Sequence, residues 1–192
     1  KLHLTSVTTS KSIDLIRAAK KKGTQVTAEI AAHLLAYDDT ILETFDSNYK
    51  VNPPFRTKRE IRAIKKGLAD GTIDAICSDH LPEDVENKVI EFDEAAFGTI
   101  GLETTFAVAN TFSGLALPQL ISKISQKPRE ILNLETPVIK SGEKANITIF
   151  DPNIVWKYTE DQITSKSKNS PFINVELKGK SIGTYNNNKY RA

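Results

Sequence analysis

The first two thirds of the chain alternate strand-like and helix-like segments, which constrains the fold more than any other feature. Residues 2–7, 26–30 and 73–78 have strand composition. Residues 10–22 carry apolar side chains at helical spacing, and residues 57–60 form a capping box, with Thr and Glu three apart, that begins another helix. Strand–helix–strand order implies parallel strands. Three such strands cannot close a barrel, so the pattern predicts either an open α/β fold or the last three strands of a (β/α)8 barrel.

The last third of the chain changes character. Helices are predicted before it, at residues 102–112, 117–125 and 128–134. The later strands are predicted at residues 146–150, closed by Asp151-Pro152, and at 172–177 and 181–185, on either side of a hairpin at Lys178-Gly179-Lys180. A further turn is predicted at 186–188. These strands are expected to form a small β layer, which gives two domains, residues 1–137 and 138–192.

Composition excludes several function classes. The 192 residues include 39% hydrophobic and 26% charged side chains, which is typical of a globular protein rather than a disordered one. A net charge of +2 gives no reason to expect a nucleic acid or an anionic membrane as partner, and no apolar run approaches the ~18–20 residues of a transmembrane helix. The single cysteine, Cys77, cannot form an internal disulfide and fits a reducing, cytoplasmic location. The chain contains no Met and starts in a strand-like run, so we expect it to be a C-terminal piece.

The strongest candidate for chemistry is Asp79, where a buried strand passes into a loop. In a barrel, that end of the strands carries the active site. A carboxylate there can ligate a metal and act as a general base, although a strand-end Asp can also simply cap a turn. His33 follows another strand and is a possible ligand, whereas Cys77 has apolar neighbours and favours a core role.

Two loops offer candidate substrate contacts. Asn52 precedes two prolines, which stiffen the backbone and can hold its amide against a polar substrate. Phe97-Gly98 follows Asp79, and Gly98 would let a ligand approach the backbone closely. An ordinary turn explains either segment equally well.

Taken together and in order, these segments resemble dihydroorotases of the bacterial and multifunctional-complex type. The segments that carry the resemblance are KVNPPFR (50–56), DGTID (70–74) with SDHLP (78–82), FGTIGLET (97–104), GEKANITIFD (142–151) and SKNSPF (167–172).

The resemblance implies the C-terminal part of a (β/α)8 amidohydrolase barrel, strands six to eight, with part of a flanking β-sandwich. It implies one or two zinc ions and the reversible conversion of carbamoyl aspartate to dihydroorotate, a small-molecule reaction of pyrimidine synthesis. Asp79 would be a metal ligand and the proton carrier, with His33 as a possible further ligand, and Asn52, Phe97 and Gly98 would hold the substrate. The N-terminal half of the barrel would supply the other ligands, and the protein is expected to form a homo-oligomer.

Two residues depart from the resemblance at functional positions. Ser6 stands where the family's sixth strand has a metal-binding histidine, and a hydroxyl is a poorer zinc ligand than imidazole. Glu83 stands where the family has a histidine that touches the substrate carboxylate, and a second carboxylate would repel that group. The family's paired histidines are also reduced to one, His33.

Three hypotheses remain open from the sequence. The first is a dihydroorotase with an altered, impaired site. The second is a noncatalytic dihydroorotase-like scaffold that partners aspartate carbamoyltransferase. The third is an amidohydrolase for a different cyclic amide, in which Glu83 meets a neutral or cationic group.

Overall fold

A computed structural model describes residues 1–191. A parallel sheet of three strands lies in the first part of the chain, with the order β1 (Leu2–Leu4), β2 (Val26–Ala31) and β3 (Ala75–Cys77). Helix α1 (Ser10–Lys21) connects β1 to β2, and α2 (Lys58–Ala69) precedes β3. The predicted parallel arrangement is confirmed.

Both helices begin at a capping threonine, of which the sequence predicted Thr57. The Thr9 side chain accepts a hydrogen bond from Ser12 N at α1, and the Thr57 side chain accepts one from Glu60 N at α2. The Glu60 carboxylate does not turn back to its own cap as the capping box predicts. It accepts hydrogen bonds from the Ser10 backbone and hydroxyl, so it joins the N-terminus of α1 to α2.

Strands β1 and β3 are shorter than predicted because of backbone conformation. Ser6 and Asp79 adopt positive φ angles of 52° and 47°, in the left-handed region that cannot continue a strand. Val7 N still donates to Glu29 O at 3.0 Å, so the chain stays beside β2 after β1 ends.

The long connection from β2 to α2 consists of short 3-10 helices at Ala32–Leu35, Asp39–Thr44 and Ser47–Tyr49. After β3 come α3 (Val85–Lys88), α4 (Thr105–Phe112), α5 (Leu117–Ile121) and α6 (Lys127–Leu132). The last two, predicted as separate helices, are joined by a π-helical turn at Ser122–Gln126. No helix in the part of the chain that the structure describes combines the length and apolarity needed to cross a bilayer.

The last part of the chain forms an antiparallel sheet of β4 (Asn146–Lys157), β5 (Glu176–Asn186) and β6 (Lys189–Arg191). The predicted hairpin at Lys178-Gly179-Lys180 is wrong, because these residues lie within β5 and pair with β4. Pro152, which lacks an N–H, lies in an irregularity of the ladder between Asp151 and Val155, so β4 continues past it. The predicted turn after Asn186 is confirmed, whereas residues 172–174 form a turn and β5 begins only at Glu176.

One apolar core joins the two parts of the chain. Ile30 of β2 and Leu68 of α2 are fully buried in this core, and Tyr158, Phe172 and Leu177 from beyond residue 137 belong to the same cluster. The loops after the parallel strands therefore lie against packed structure from both parts.

Candidate functional site

Two side chains meet where the second and third parallel strands end. Ala31 pairs with Cys77 in the ladder between β2 and β3. Because the strands are parallel and adjacent, the residues two positions further on, His33 and Asp79, come close together. His33 Nε2 lies 4.0 Å from Asp79 Oδ2. The sequence predicted each residue separately, and the register of the sheet brings them into one site.

The environment of His33 keeps its imidazole neutral. The side chain is 3% exposed, and burial lowers its pKa to about 4. Its ring packs edge-on against Phe55 at 5.9 Å. Among the described residues, neither ring nitrogen has a hydrogen-bond partner. A buried, neutral imidazole with no hydrogen-bond partner, close to a carboxylate, is in the protonation state that binds a metal ion.

Asp79 has a raised pKa, first because of partial burial and second because of the nearby Glu29 carboxylate. Its side chain is 37% exposed, so it remains accessible to small molecules. The left-handed backbone at Asp79 directs the chain sharply out of β3 into the following loop. The site thus contains an accessible carboxyl group that holds a proton more readily than an ordinary aspartate.

The donors of His33 and Asp79 fit a zinc ion by chemical type. Within residues 1–191, no group of three or more His, Cys, Asp or Glu side chains is arranged to hold a metal ion. These two residues would therefore supply only part of a coordination shell. Ser6 follows β1 at the same end of the sheet, but β2 lies between its strand and that of Asp79.

A row of polar side chains in contact with one another lies on the sheet and includes Glu29, which the sequence analysis missed. His3 Nε2 lies 3.3 Å from Glu29 Oε2, and His3 Nδ1 lies 2.8 Å from Thr27 Oγ1. Burial and, to a lesser degree, the Glu29 carboxylate raise the pKa of the Cys77 thiol to about 12. Cys77 is therefore not an activated nucleophile, as predicted. In the sequence, Glu29 alternates with Ala28 and Ile30, which are buried, and this alternation is the signal that could have identified Glu29 as a polar residue on the opposite face of the strand.

The two predicted substrate loops touch each other. Gly98 N donates to Lys50 O at 3.0 Å, and the Lys50 ammonium lies 5.1 Å from the centre of the Phe97 ring. Asn52 is exposed and lies two residues after Lys50. A Cβ at Gly98 would come within 2.8 Å of Leu81 O, and its φ is 136°, so this position requires glycine.

Glu83 lies among charged side chains of both signs, which include Asp84, Glu86 and Glu160. It lines a cavity of about 430 Å³ together with Lys88, Lys166 and Lys168. Its backbone N donates to Asn169 Oδ1 at 3.3 Å. Of these side chains, Lys88 is near enough for the Glu83 carboxylate to favour its ammonium form.

Asn169 is a second residue that the sequence reasoning missed. It is 5% exposed, and its amide group donates to Leu81 O at 3.1 Å and to Gly98 O at 3.2 Å. Its backbone carbonyl accepts from Ile100 N at 2.9 Å. The segment around it, residues 165–170, is polar in composition, and no local pattern indicates that the Asn169 side chain is buried against the Phe97–Gly98 loop.

Residues 3–187 match the amidohydrolase family. The chain belongs to the amidohydrolase family.

Sequence relatives of this amidohydrolase chain include curated dihydroorotases. The dihydroorotase of Endomicrobium trichonymphae is 45% identical over 188 residues, which cover 95% of this chain and 44% of that protein. The dihydroorotase of Geobacter metallireducens is 41% identical over 181 residues, which cover 93% of this chain and 43% of that protein. The resemblance to dihydroorotases is confirmed, and the chain spans less than half the length of these relatives.

Solved structures support the amidohydrolase fold. The L-hydantoinase (dihydropyrimidinase) of Arthrobacter aurescens superposes with a TM-score of 0.89 and 26% identity, over 99% of this chain and 44% of that one. The inactive dihydroorotase-like domain of the Chaetomium thermophilum CAD-like multifunctional protein superposes with a TM-score of 0.73 and 19% identity, over 98% of this chain and 50% of that one. The second likeness concerns the fold alone.

Proposed function

We propose that this chain is part of a cyclic amidohydrolase that interconverts carbamoyl aspartate and dihydroorotate. The observation that carries the proposal is the approach of His33 to Asp79 at the ends of adjacent parallel strands. The identity of 41–45% to curated dihydroorotases supports the choice of substrate. In this proposal β1, β2 and β3 are strands six to eight of a (β/α)8 barrel, built from residues 1–137, and residues 138–192 belong to a flanking β-sandwich.

Asp79 would carry the proton. In the hydrolytic direction the oxygen of water attacks the ring amide carbon, the C–N bond breaks, and the water proton passes through the Asp79 carboxylate to the departing nitrogen. Its raised pKa suits this role, because the same group must accept and then release a proton. Asn52 and the Phe97–Gly98 backbone would position the substrate.

Zinc would supply Lewis acidity to this reaction when bound. His33 and Asp79 would be ligands, and the remaining ligands would come from an N-terminal half of the barrel in the same protein. His33 is already neutral near pH 7, so it can bind the ion without first losing a proton. We expect the complete protein to assemble as a homo-oligomer.

The test is Asp79→Asn in the complete protein, with zinc content measured by elemental analysis and carbamoyl aspartate cyclisation assayed on the same sample. We expect turnover to fall by at least ~100-fold, because a general base contributes about that much or more. The matched control is Asp14→Asn, an exposed aspartate on α1, which should leave turnover unchanged. Turnover of Asp79→Asn within twofold of the unsubstituted protein would refute the assigned role.

A noncatalytic scaffold that partners aspartate carbamoyltransferase is the second candidate. It is favoured by Ser6 and Glu83, which stand at the two positions where the resemblance predicts histidines. This candidate predicts neither stoichiometric zinc nor turnover, together with co-elution with aspartate carbamoyltransferase. Turnover gained by Ser6→His combined with Glu83→His would indicate that these two residues are what disables the site.

Glu83 also allows a substrate without a carboxylate. The same protein should then be assayed with a hydantoin and a dihydropyrimidine, whose rings bring no negative charge to Glu83. Turnover of either ring in place of dihydroorotate would support the same chemistry on a different cyclic amide.

A further inference from the structure

Lys88 is a buried lysine in the loop that connects β3 to α4. It is the last residue of α3, and its side chain is 3% exposed. A lysine ammonium is almost never removed from water to this extent unless partners replace the lost hydration. The hydrogen-bond partners of the Lys88 ammonium therefore indicate its role.

The ammonium joins two loops. Lys88 Nζ donates to Ala96 O at 2.9 Å and to Lys50 O at 3.4 Å. Lys50 O also accepts the hydrogen bond from Gly98 N. One carbonyl group is thus shared by the lysine and by the backbone of the proposed substrate-binding glycine.

The backbone of Lys88 is fixed as well. Ser47 Oγ donates to Lys88 O, which ties the end of α3 to the 3-10 helix that leads to Lys50. Ala96 N donates to Asn87 O at 2.9 Å, which closes the loop on itself. The lysine therefore lies at the junction of the loop that carries Asn52 and the loop that carries Phe97–Gly98.

The charges around Lys88 come from several segments. Glu83 and Asp46 favour the ammonium form and Lys50 opposes it, while burial is the largest effect and lowers the pKa of Lys88 to about 8. The remaining charged side chains that line the adjoining cavity are Asp84, Glu86, Glu160, Lys166 and Lys168.

We propose that Lys88 is a positioning residue, whose ammonium holds the Lys50 and Ala96 carbonyls together and thereby places the Phe97–Gly98 backbone for substrate binding. The inference rests on the proposed function for the role of Phe97–Gly98, but the loop contacts do not depend on it. Lys88 is not among the groups assigned to proton transfer or zinc binding. Its loss should therefore weaken binding more than it slows the chemical step.

The experiment compares Lys88→Met with Lys166→Met, an exposed lysine on the same cavity, in the complete protein. We expect Lys88→Met to raise KM by about tenfold, because hydrogen bonds made by a charged group are lost, while kcat changes less than threefold. Lys88→Arg retains the charge and should recover part of the loss. Lys166→Met should change neither constant. If Lys88→Met instead lowered kcat and left KM unchanged, the proposal would be overturned.

A pH profile needs no variant. The hydrogen bonds weaken when the ammonium loses its proton, so KM of the unsubstituted protein should rise above about pH 8. The rise should be absent from Lys88→Met, whose KM is already high. A flat KM between pH 7 and pH 9.5 in the unsubstituted protein would overturn the proposal.

Hydrogen exchange separates failure of this inference from failure of the proposed function. Even in a protein without turnover, amide exchange in residues 94–102 should be at least about tenfold faster in Lys88→Met than in Lys166→Met. Faster exchange without turnover would support Lys88 as the anchor of the loop and reject the enzymatic function. Unchanged exchange would overturn the role of Lys88, whatever the activity.

Discussion

Replacing Asn169 with alanine should destabilise the protein far more than its place in a polar loop suggests. The buried amide makes three side-chain hydrogen bonds, donating to Leu81 O and Gly98 O and accepting from Glu83 N, at 3.1, 3.2 and 3.3 Å. Each such bond contributes ~1 kcal/mol of net stability, and an unsatisfied buried group costs more. Leu81 is exposed, so water can replace its bond, whereas Gly98 is buried. We therefore expect the free energy of unfolding to fall by about 2 kcal/mol.

The assay is urea unfolding of the complete protein, with the midpoint and the slope fitted separately. Asn153→Ala is the matched control, because Asn153 is an exposed asparagine on β4, and its loss should stay within ~0.5 kcal/mol. Asn169→Asp should be worse than Asn169→Ala, since a carboxylate would face two carbonyl oxygens that now receive N–H groups. A loss below ~0.5 kcal/mol for Asn169→Ala, or the reverse order of the two variants, would refute the reasoning.

Three further measurements test the geometry. In Gly101→Ala, the new Cβ would lie far inside van der Waals contact with Ser78 O, so unfolding by urea should show a loss of about 2 kcal/mol or more. Because burial lowers the pKa of His33 from 6.5 to about 4, the unfolded chain binds more protons between these values, and stability is lost as the pH falls. The free energy of unfolding of the metal-free protein should drop by about 3 kcal/mol across that window, and His33→Phe, followed by urea titrations at several pH values, should lack this part of the drop. With its pKa near 12, Cys77 should react with iodoacetamide at pH 8 about a thousandfold more slowly in the folded protein than in urea, and comparable rates would contradict the burial of its thiol.

The sequence predicted the parallel sheet because its signals are local. Apolar strand segments, the helix cap at Thr57 and helical spacing each act within a few residues, and together they determine the order of elements. Placing Asp79 and His33 at strand ends followed from the same pattern. Their approach to 4.0 Å required the register of β2 and β3, which no single segment contains.

The failures lie where distant residues decide the local structure. The Lys178-Gly179-Lys180 segment has hairpin composition, but Asn110 Nδ2 donates to Lys178 O and Trp156 Nε1 donates to Gly179 O, which hold it as a continuous strand. Glu60 is placed to complete its own cap, yet it serves the neighbouring helix. In each case a tertiary hydrogen bond outweighs a local preference that is worth only ~1 kcal/mol.

The candidate site depends on chain segments far from the strands that carry its charged groups. Glu103 accepts hydrogen bonds from Tyr158 Oη at 3.2 Å, Thr164 N at 3.1 Å and Ser165 N at 2.8 Å, which anchors the segment leading to Asn169. Asn169 in turn holds the Gly98 carbonyl, while Lys88 holds the opposite side of the same loop through Lys50. The loop proposed to bind substrate is therefore fixed from two sides by buried polar groups that have no catalytic chemistry of their own. A substitution that loosens Tyr158 or Asn169 should consequently weaken substrate binding while leaving Asp79 and His33 in place.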